Sequence, residues 1–135
     1  MEKAGYLQRT GCSAIDSNGD MNEVIELHIL GTRYAIRRSD LIRAVSGRVV
    51  VQVEELTRNW NYYLGTTRGL AQVSASGKAL NVDLFGAGSF TLSLASLKAV
   101  LYGRERLVRI VKIPETPTQR FHRVVEGQQK LGAAV

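Results

Sequence analysis

The 135-residue chain is 44% hydrophobic and 22% charged, which places it in the ordinary globular range and excludes the disordered one. At this length it fits one domain, or two very small halves sharing a core, and it can fold without disulfide staples. The net charge of +6 is unevenly spread, because residues 57–113 carry 8 Lys/Arg against 2 Asp/Glu, while residues 1–56 carry 7 against 8 and residues 114–135 carry 3 against 2. One basic face is expected from this asymmetry, and it would attract anionic partners.

From the N-terminus, Met1-Glu2-Lys3-Ala4-Gly5 is polar and leads into no stretch of signal-peptide type. No apolar run reaches the length needed to span a bilayer, so the expectation is a soluble, cytoplasmic protein with no membrane partner. A first strand starts at Tyr6. Cys12 is the single cysteine, which excludes an internal disulfide and any Cys-based zinc cluster and reads as a small buried strand residue. Asp16 and Asp20 flank Ser17-Asn18-Gly19, a turn in which carboxylates hold backbone N–H groups and supply too few oxygens for calcium. Ile25, Leu27 and Ile29 then alternate as in a half-buried strand. Glu26 and His28 fall on its other face, which reads as a solvent-facing polar side.

Leu30-Gly31 turns the chain into a third strand near Tyr34–Arg38. Ser39 is the expected N-cap of a helix over Asp40–Val45, and Gly47 its left-handed stop. Val49, Val51 and Val53 alternate in a last strand. The same signals recur. Tyr34 to Arg48 (YAIRRSDLIRAVSGR) matches Phe90 to Arg104 (FTLSLASLKAVLYGR) at a constant offset, with Tyr34 answering Phe90, Leu41 answering Leu97, and Gly47-Arg48 answering Gly103-Arg104. Leu80, Val82 and Leu84 repeat the earlier alternation, and Gly86 repeats the turn. Ser76-Gly77 answers Asn18-Gly19. At the front, Tyr6-Leu7 is matched with Tyr63-Leu64 and Gly11 with Gly69.

The expected fold is therefore mainly β with short helices. It is an internally duplicated β-β-β-α-β unit forming a pseudo-twofold β-barrel or two small packed barrels. Copy one covers about residues 6–55, a linker 56–62, copy two about 63–113, and residues 114–135 form a C-terminal tail opened by Pro114 and Pro117. Strand–helix–Gly–strand units in duplicate resemble the cradle-loop barrels, although Arg48 and Arg104 stand where those barrels commonly carry Asp. Leu30-Gly31 with Tyr34-Ala35-Ile36, and Arg68-Gly69 downstream, resemble the CheW-type chemotaxis coupling domain. The Pro and apolar-Asp-Leu run that follow Arg-Gly in that family are absent here, Val82-Asp83-Leu84 coming later.

Candidate functional residues are few. The linker holds the only tryptophan, Trp60, between Arg58 and Tyr62-Tyr63, with Arg68 close behind. Such interleaving can stack bases and neutralise phosphates, or the Trp can plug one barrel end. Arg48 and Arg104 hold matching positions and would converge on one anion if a twofold axis brought them together. Phe121, Val124 and Val125 share one helical face in the tail, a candidate partner-binding helix, and His122 lies among them. Glu26 and His28 are too few for a metal or acid–base site, and their counterparts in copy two are Asn81 and Asp83. Gly86-Ala87-Gly88 lacks the context of a phosphate loop, and no Gly-x-Ser-x-Gly elbow is present. No catalytic residue, metal ligand or cofactor is assigned.

The first expectation is a non-enzymatic module, a protein–protein adaptor or accessory subunit, with homo-oligomerisation open to it. The second is an RNA- or single-stranded-DNA-binding module using the basic second half, with Arg58, Trp60, Arg68 and Arg106 among its contacts. The third is a small ligand-binding or enzymatic barrel.

Overall fold

A computed structural model describes residues 2–114. Nine strands and two helices follow one another as β1 (Lys3–Gln8), β2 (Ser13–Ile15), β3 (Met21–Ile29), β4 (Thr32–Arg37), α1 (Arg38–Gly47), β5 (Val51–Asn59), β6 (Asn61–Val73), β7 (Ala79–Leu84), β8 (Gly88–Ser93), α2 (Leu94–Leu101) and β9 (Leu107–Lys112). Eight of the strands close an antiparallel barrel in the cyclic order β1-β3-β4-β5-β6-β7-β8-β9. Closure leaves the ring without a free edge.

The alternation seen in the sequence decides which side chains face inward. Leu7, Ile25, Leu27, Ile29, Ile36, Val53, Leu80, Val82, Phe90 and Ile110 are all essentially inaccessible and form one core. Strand direction alternates round the ring, so β4 and β8 run the same way and both helices leave the barrel at the same end. Leu41 and Ala44 of α1, and Leu94, Leu97, Val100 and Leu101 of α2, complete the core there.

Helix ends differ from the sequence reading. The α1 helix begins at Arg38, its N-cap residue is Arg37, and no side chain caps it, so Ser39 lies inside the first turn. Its left-handed stop is Arg48 (φ 53°), not Gly47. In α2, Ser93 is a true cap, its hydroxyl accepting a bond from the Ser96 N–H (3.3 Å). Gly103 (φ 77°) closes α2, with Arg104 N–H donating back to the Ala99 carbonyl (2.8 Å).

Two glycines sit where strands press on each other. A Cβ on Gly5 would lie 1.7 Å from the His28 carbonyl oxygen, and one on Gly69 would lie 2.3 Å from that of Asp83. Gly5 pairs with Ile29 and Ile110, while Gly69 pairs with Leu84 and Val53. Gly69 thus makes the same kind of close approach as Gly5, whereas Gly11, with which the sequence matched it, has nothing within 4 Å of a Cβ position.

The segment 56–62 is built of paired strand. It is the far end of the long β5–β6 hairpin, paired from Leu56↔Leu64 through Asn59↔Asn61. Irregular register between Val53 and Leu56 bends the hairpin. β2 pairs with β3 on one side and, in parallel, with β6 on the other. A second circuit, β2-β3-β4-β5-β6, therefore shares four strands with the barrel. Each of its strands contributes one buried residue to a separate small core, namely Ala14, Val24, Ala35, Leu56 and Leu64, with Cys12 and Tyr62 packed against it. Strands β3 and β4 are consequently apolar on both faces at this point, Val24 beside Ile25 and Ala35 beside Ile36.

Candidate surface at the hairpin tip

Trp60 stands alone at the tip between Asn59 and Asn61. It is 96% exposed and has a left-handed backbone (φ 67°). The tryptophan does not plug a barrel end. A bulky residue in this region carries a steric cost that glycine would avoid. Three residues further along, in β6, Tyr63 pairs with Ile15, which pairs with Met21 on its other side, so the three share one face of the β3-β2-β6 sheet. Met21 is 65% exposed and Tyr63 is also open to solvent.

The opposite face of the same sheet carries the small core and, beside it, a well-partnered polar network. Arg37 donates from Nε to Glu54 Oε1 (2.9 Å), from Nη2 to Glu54 Oε2 (3.3 Å) and from Nη1 to Asp16 Oδ2 (3.2 Å). Asp16 also accepts from the backbone N–H groups of Asn18 (2.9 Å) and Asp20 (3.0 Å) and from the Asn22 side-chain amide (3.0 Å). The Asp20 N–H, then Asn22, Asn18 and Arg37, hold the Asp16 carboxyl below its ordinary range. The bidentate Glu54 contact raises Arg37 further above its already high value. This network staples the turn after β2 to β4 and β5, and so fixes the hairpin from below.

Around Tyr62, the guanidinium of Arg58 lies 5.4 Å from the ring centre and that of Arg33 lies 5.9 Å from it. Arg33 also faces Glu26 (3.9 Å). Glu26 is buried, contrary to a solvent-facing strand side, and accepts from Gln8 Nε2 (3.3 Å). His28 stacks on Tyr6 with ring centres 4.6 Å apart. Burial, then Glu26, pushes the Cys12 thiol up, so it carries less thiolate at neutral pH than a free cysteine.

The other expected site residues are scattered. Arg68 is held by Glu55. Arg48 and Arg104 precede β5 and β9, which lie four strands apart in the ring, so they do not meet at one anion. The Arg48 guanidinium approaches the Gly77 turn, while that of Arg104 lies 5.9 Å from the Tyr102 ring centre. Arg106 precedes β9, far round the ring from the hairpin that carries Arg58 and Trp60. His28 on β3 and Asp83 on β7 are likewise four strands apart, and Ser89 donates to Asp83. No group of three or more His, Cys, Asp or Glu side chains is placed to hold a metal among the described residues. No helix among them is long and apolar enough to cross a membrane. Phe121, Val124 and Val125 lie outside the described residues.

The sequence had shown the aromatic and arginine cluster at 58–63 but not its display. Met21 and Ile15 were missed altogether. Their signal was faint, an unpaired Met and a lone Ile on either side of a turn. No family model matches the chain, and no curated protein or solved structure matches it either, so neither family resemblance gains support from a match.

Proposed function

We propose that the chain is a non-enzymatic binding module, a duplicated barrel that presents the β5–β6 hairpin tip and β2 to another protein. The observation that carries this reading is Trp60, held fully in solvent on a backbone conformation that disfavours it. Large exposed aromatics kept at a cost to the fold are characteristic of binding sites.

The duplication supports the same reading. Beyond the matching glycines, Leu27↔Tyr34 and Ile25↔Ile36 in β3–β4 correspond to Val82↔Phe90 and Leu80↔Leu92 in β7–β8. Copy one departs from copy two at two places, the β2 region and the extended hairpin. Those two additions pack on each other through Ala14, Leu56 and Leu64. What the repeat does not require is gathered into one appendage, and that appendage carries the exposed apolar row. A rigid scaffold bearing one elaborated corner is a common way to build a site.

A protein partner suits this corner better than a nucleic acid. Arg9 and Arg38 face Glu23, Arg33 faces Glu26, Arg37 faces Asp16 and Glu54, and Arg68 faces Glu55. A neutralised rim around Trp60, Tyr63, Met21 and Ile15 resembles an interface centre, with aromatic anchors inside and polar residues outside. Phosphate binding would need several unpaired cations. Of these arginines' neighbours at the tip, Arg58 joins no ion pair among the described residues but lies on the Tyr62 ring. A photo-crosslinking side chain at position 60, used in lysate, is expected to give a discrete protein adduct that the same group at the barrel position Gln72 does not give. Adducts to nucleic acid alone, or equal adducts from both positions, would overturn the reading.

A further inference from the structure

The geometry points to a second surface, independent of the hairpin tip, that binds single-stranded nucleic acid along α2, the turn after it and β9. Half of the net charge of +6 collects here, four cations against one carboxylate. Lys98, Arg104, Arg106 and Arg109 are all exposed, against the single carboxylate Glu105. Among the described residues none of these four cations joins an ion pair, whereas Arg9, Arg33, Arg37, Arg38, Arg43 and Arg68 each sit beside a carboxylate. Arg48 and Arg58 also join no ion pair among these residues, but they stand apart from each other, whereas the four fall between positions 98 and 109 and their fields add over one short stretch.

Tyr102 supplies the second element. It is 74% exposed, and its backbone N–H donates to the Lys98 carbonyl (3.0 Å), which sets the ring one helical turn beyond the lysine. The Arg104 guanidinium lies over the ring at 5.9 Å. Beside them runs an open cleft between α2 and β9, lined by Ser96, Ala99, Glu105 and Arg109 among others. Arg109 is the cation that lines this cleft, and Lys98, Arg104 and Arg106 are exposed on the segments that border it. Together with the exposed ring they offer what an unpaired strand requires, cations for its phosphates and a ring for a base. An acidic protein would use the cations but would have no need of the ring.

The test is fluorescence anisotropy of the full chain with labelled single-stranded oligonucleotides. Neutralising three or four phosphates gives a log–log salt slope of about −2 to −3, a roughly 20- to 50-fold loss between about 50 and 200 mM salt. The Arg106→Glu/Arg109→Glu variant is expected to lose at least about tenfold in affinity. Tyr102→Ala should lose about fivefold or more and Tyr102→Phe should bind as the parent does. Trp60→Ala should leave binding unchanged, which separates this surface from the hairpin site. The proposal is overturned by absence of binding at 50 mM salt, or by an affinity indifferent to the charge reversals. It is also overturned if Trp60→Ala weakens binding as much as they do. Tighter binding of poly-glutamate, with no effect of Tyr102→Ala, would assign the surface to an acidic protein instead.

Discussion

Replacing Trp60 by glycine should strengthen the fold while removing the proposed binding site. At 96% exposure the indole contributes almost no burial, so its removal forfeits little hydrophobic stabilisation. At φ 67° a residue with a Cβ carries about 1–2 kcal/mol of steric cost that glycine does not. Glycine brings back roughly 0.5–1 kcal/mol of chain entropy in the unfolded state. The difference is a gain of about 0.5–1 kcal/mol, or a rise in Tm of ~2–5 °C for a domain of this size. Trp60→Ala keeps the backbone cost and should leave Tm within about 1 °C, since surface changes away from special features are nearly neutral. Both variants should lose the protein partner captured through position 60. Thermal and urea unfolding followed by circular dichroism read the stability. A Trp60→Gly chain less stable than the parent by more than about 1 kcal/mol would mean that the indole packs in solution, and the idea of a residue displayed at a cost would fail.

Four further outcomes follow from the same geometry. Gly5→Ala and Gly69→Ala should each destabilise by about 3 kcal/mol or more, since either Cβ runs into a carbonyl oxygen of the neighbouring strand; urea midpoints close to the parent would refute the close approach. Leu30→Asn should stabilise by about 1 kcal/mol, because Leu30 (φ 50°) and Gly31 (φ 80°) form a hairpin turn with both central residues left-handed, where Asn-Gly is favoured; thermal unfolding reads it. Arg37→Leu should lower the urea midpoint more than Arg68→Leu does, because Arg37 neutralises two buried carboxylates while the Arg68–Glu55 pair is exposed and contributes below about 1 kcal/mol. The depressed Asp16 carboxyl gives stability that is present above the ordinary carboxylate pKa and lost as pH falls through its lower folded value, so the unfolding midpoint should drop on acidification below about pH 4, and Asp16→Asn should flatten that drop.

The amino-acid sequence by itself determined much of the barrel. Side chains alternate faces along any strand, so Ile25-Leu27-Ile29 and Leu80-Val82-Leu84 revealed both strand type and inward face, and both triplets are buried. Tyr34 and Phe90, linked by the constant offset, lie in strands as expected, opposite Leu27 and Val82. Gly31, Gly86 and Gly103 marked turns or a helix stop that need positive φ. These features are local, and local sterics make them readable. Other features belong only to the tertiary structure. The need for glycine at positions 5 and 69 lies in the carbonyl each backbone presses against, and no periodicity encodes a cross-strand contact. The second core draws single residues from five strands, and Ala14 or Leu64 taken alone has no distinguishing neighbour in sequence. Helix α1 starts at Arg38, ahead of the good capping residue Ser39, because Arg37 is committed to Glu54 and Asp16 and β4 ends there. The segment around Trp60 has the composition of a connector, and becomes a displayed tip only because β2 and the Asp16–Arg37–Glu54 network hold the hairpin in place. Arg48 and Arg104 match in sequence, yet the cyclic strand order sets the strands that follow them four apart, since a likeness of local sequence carries no distance and closure of the ring sets it.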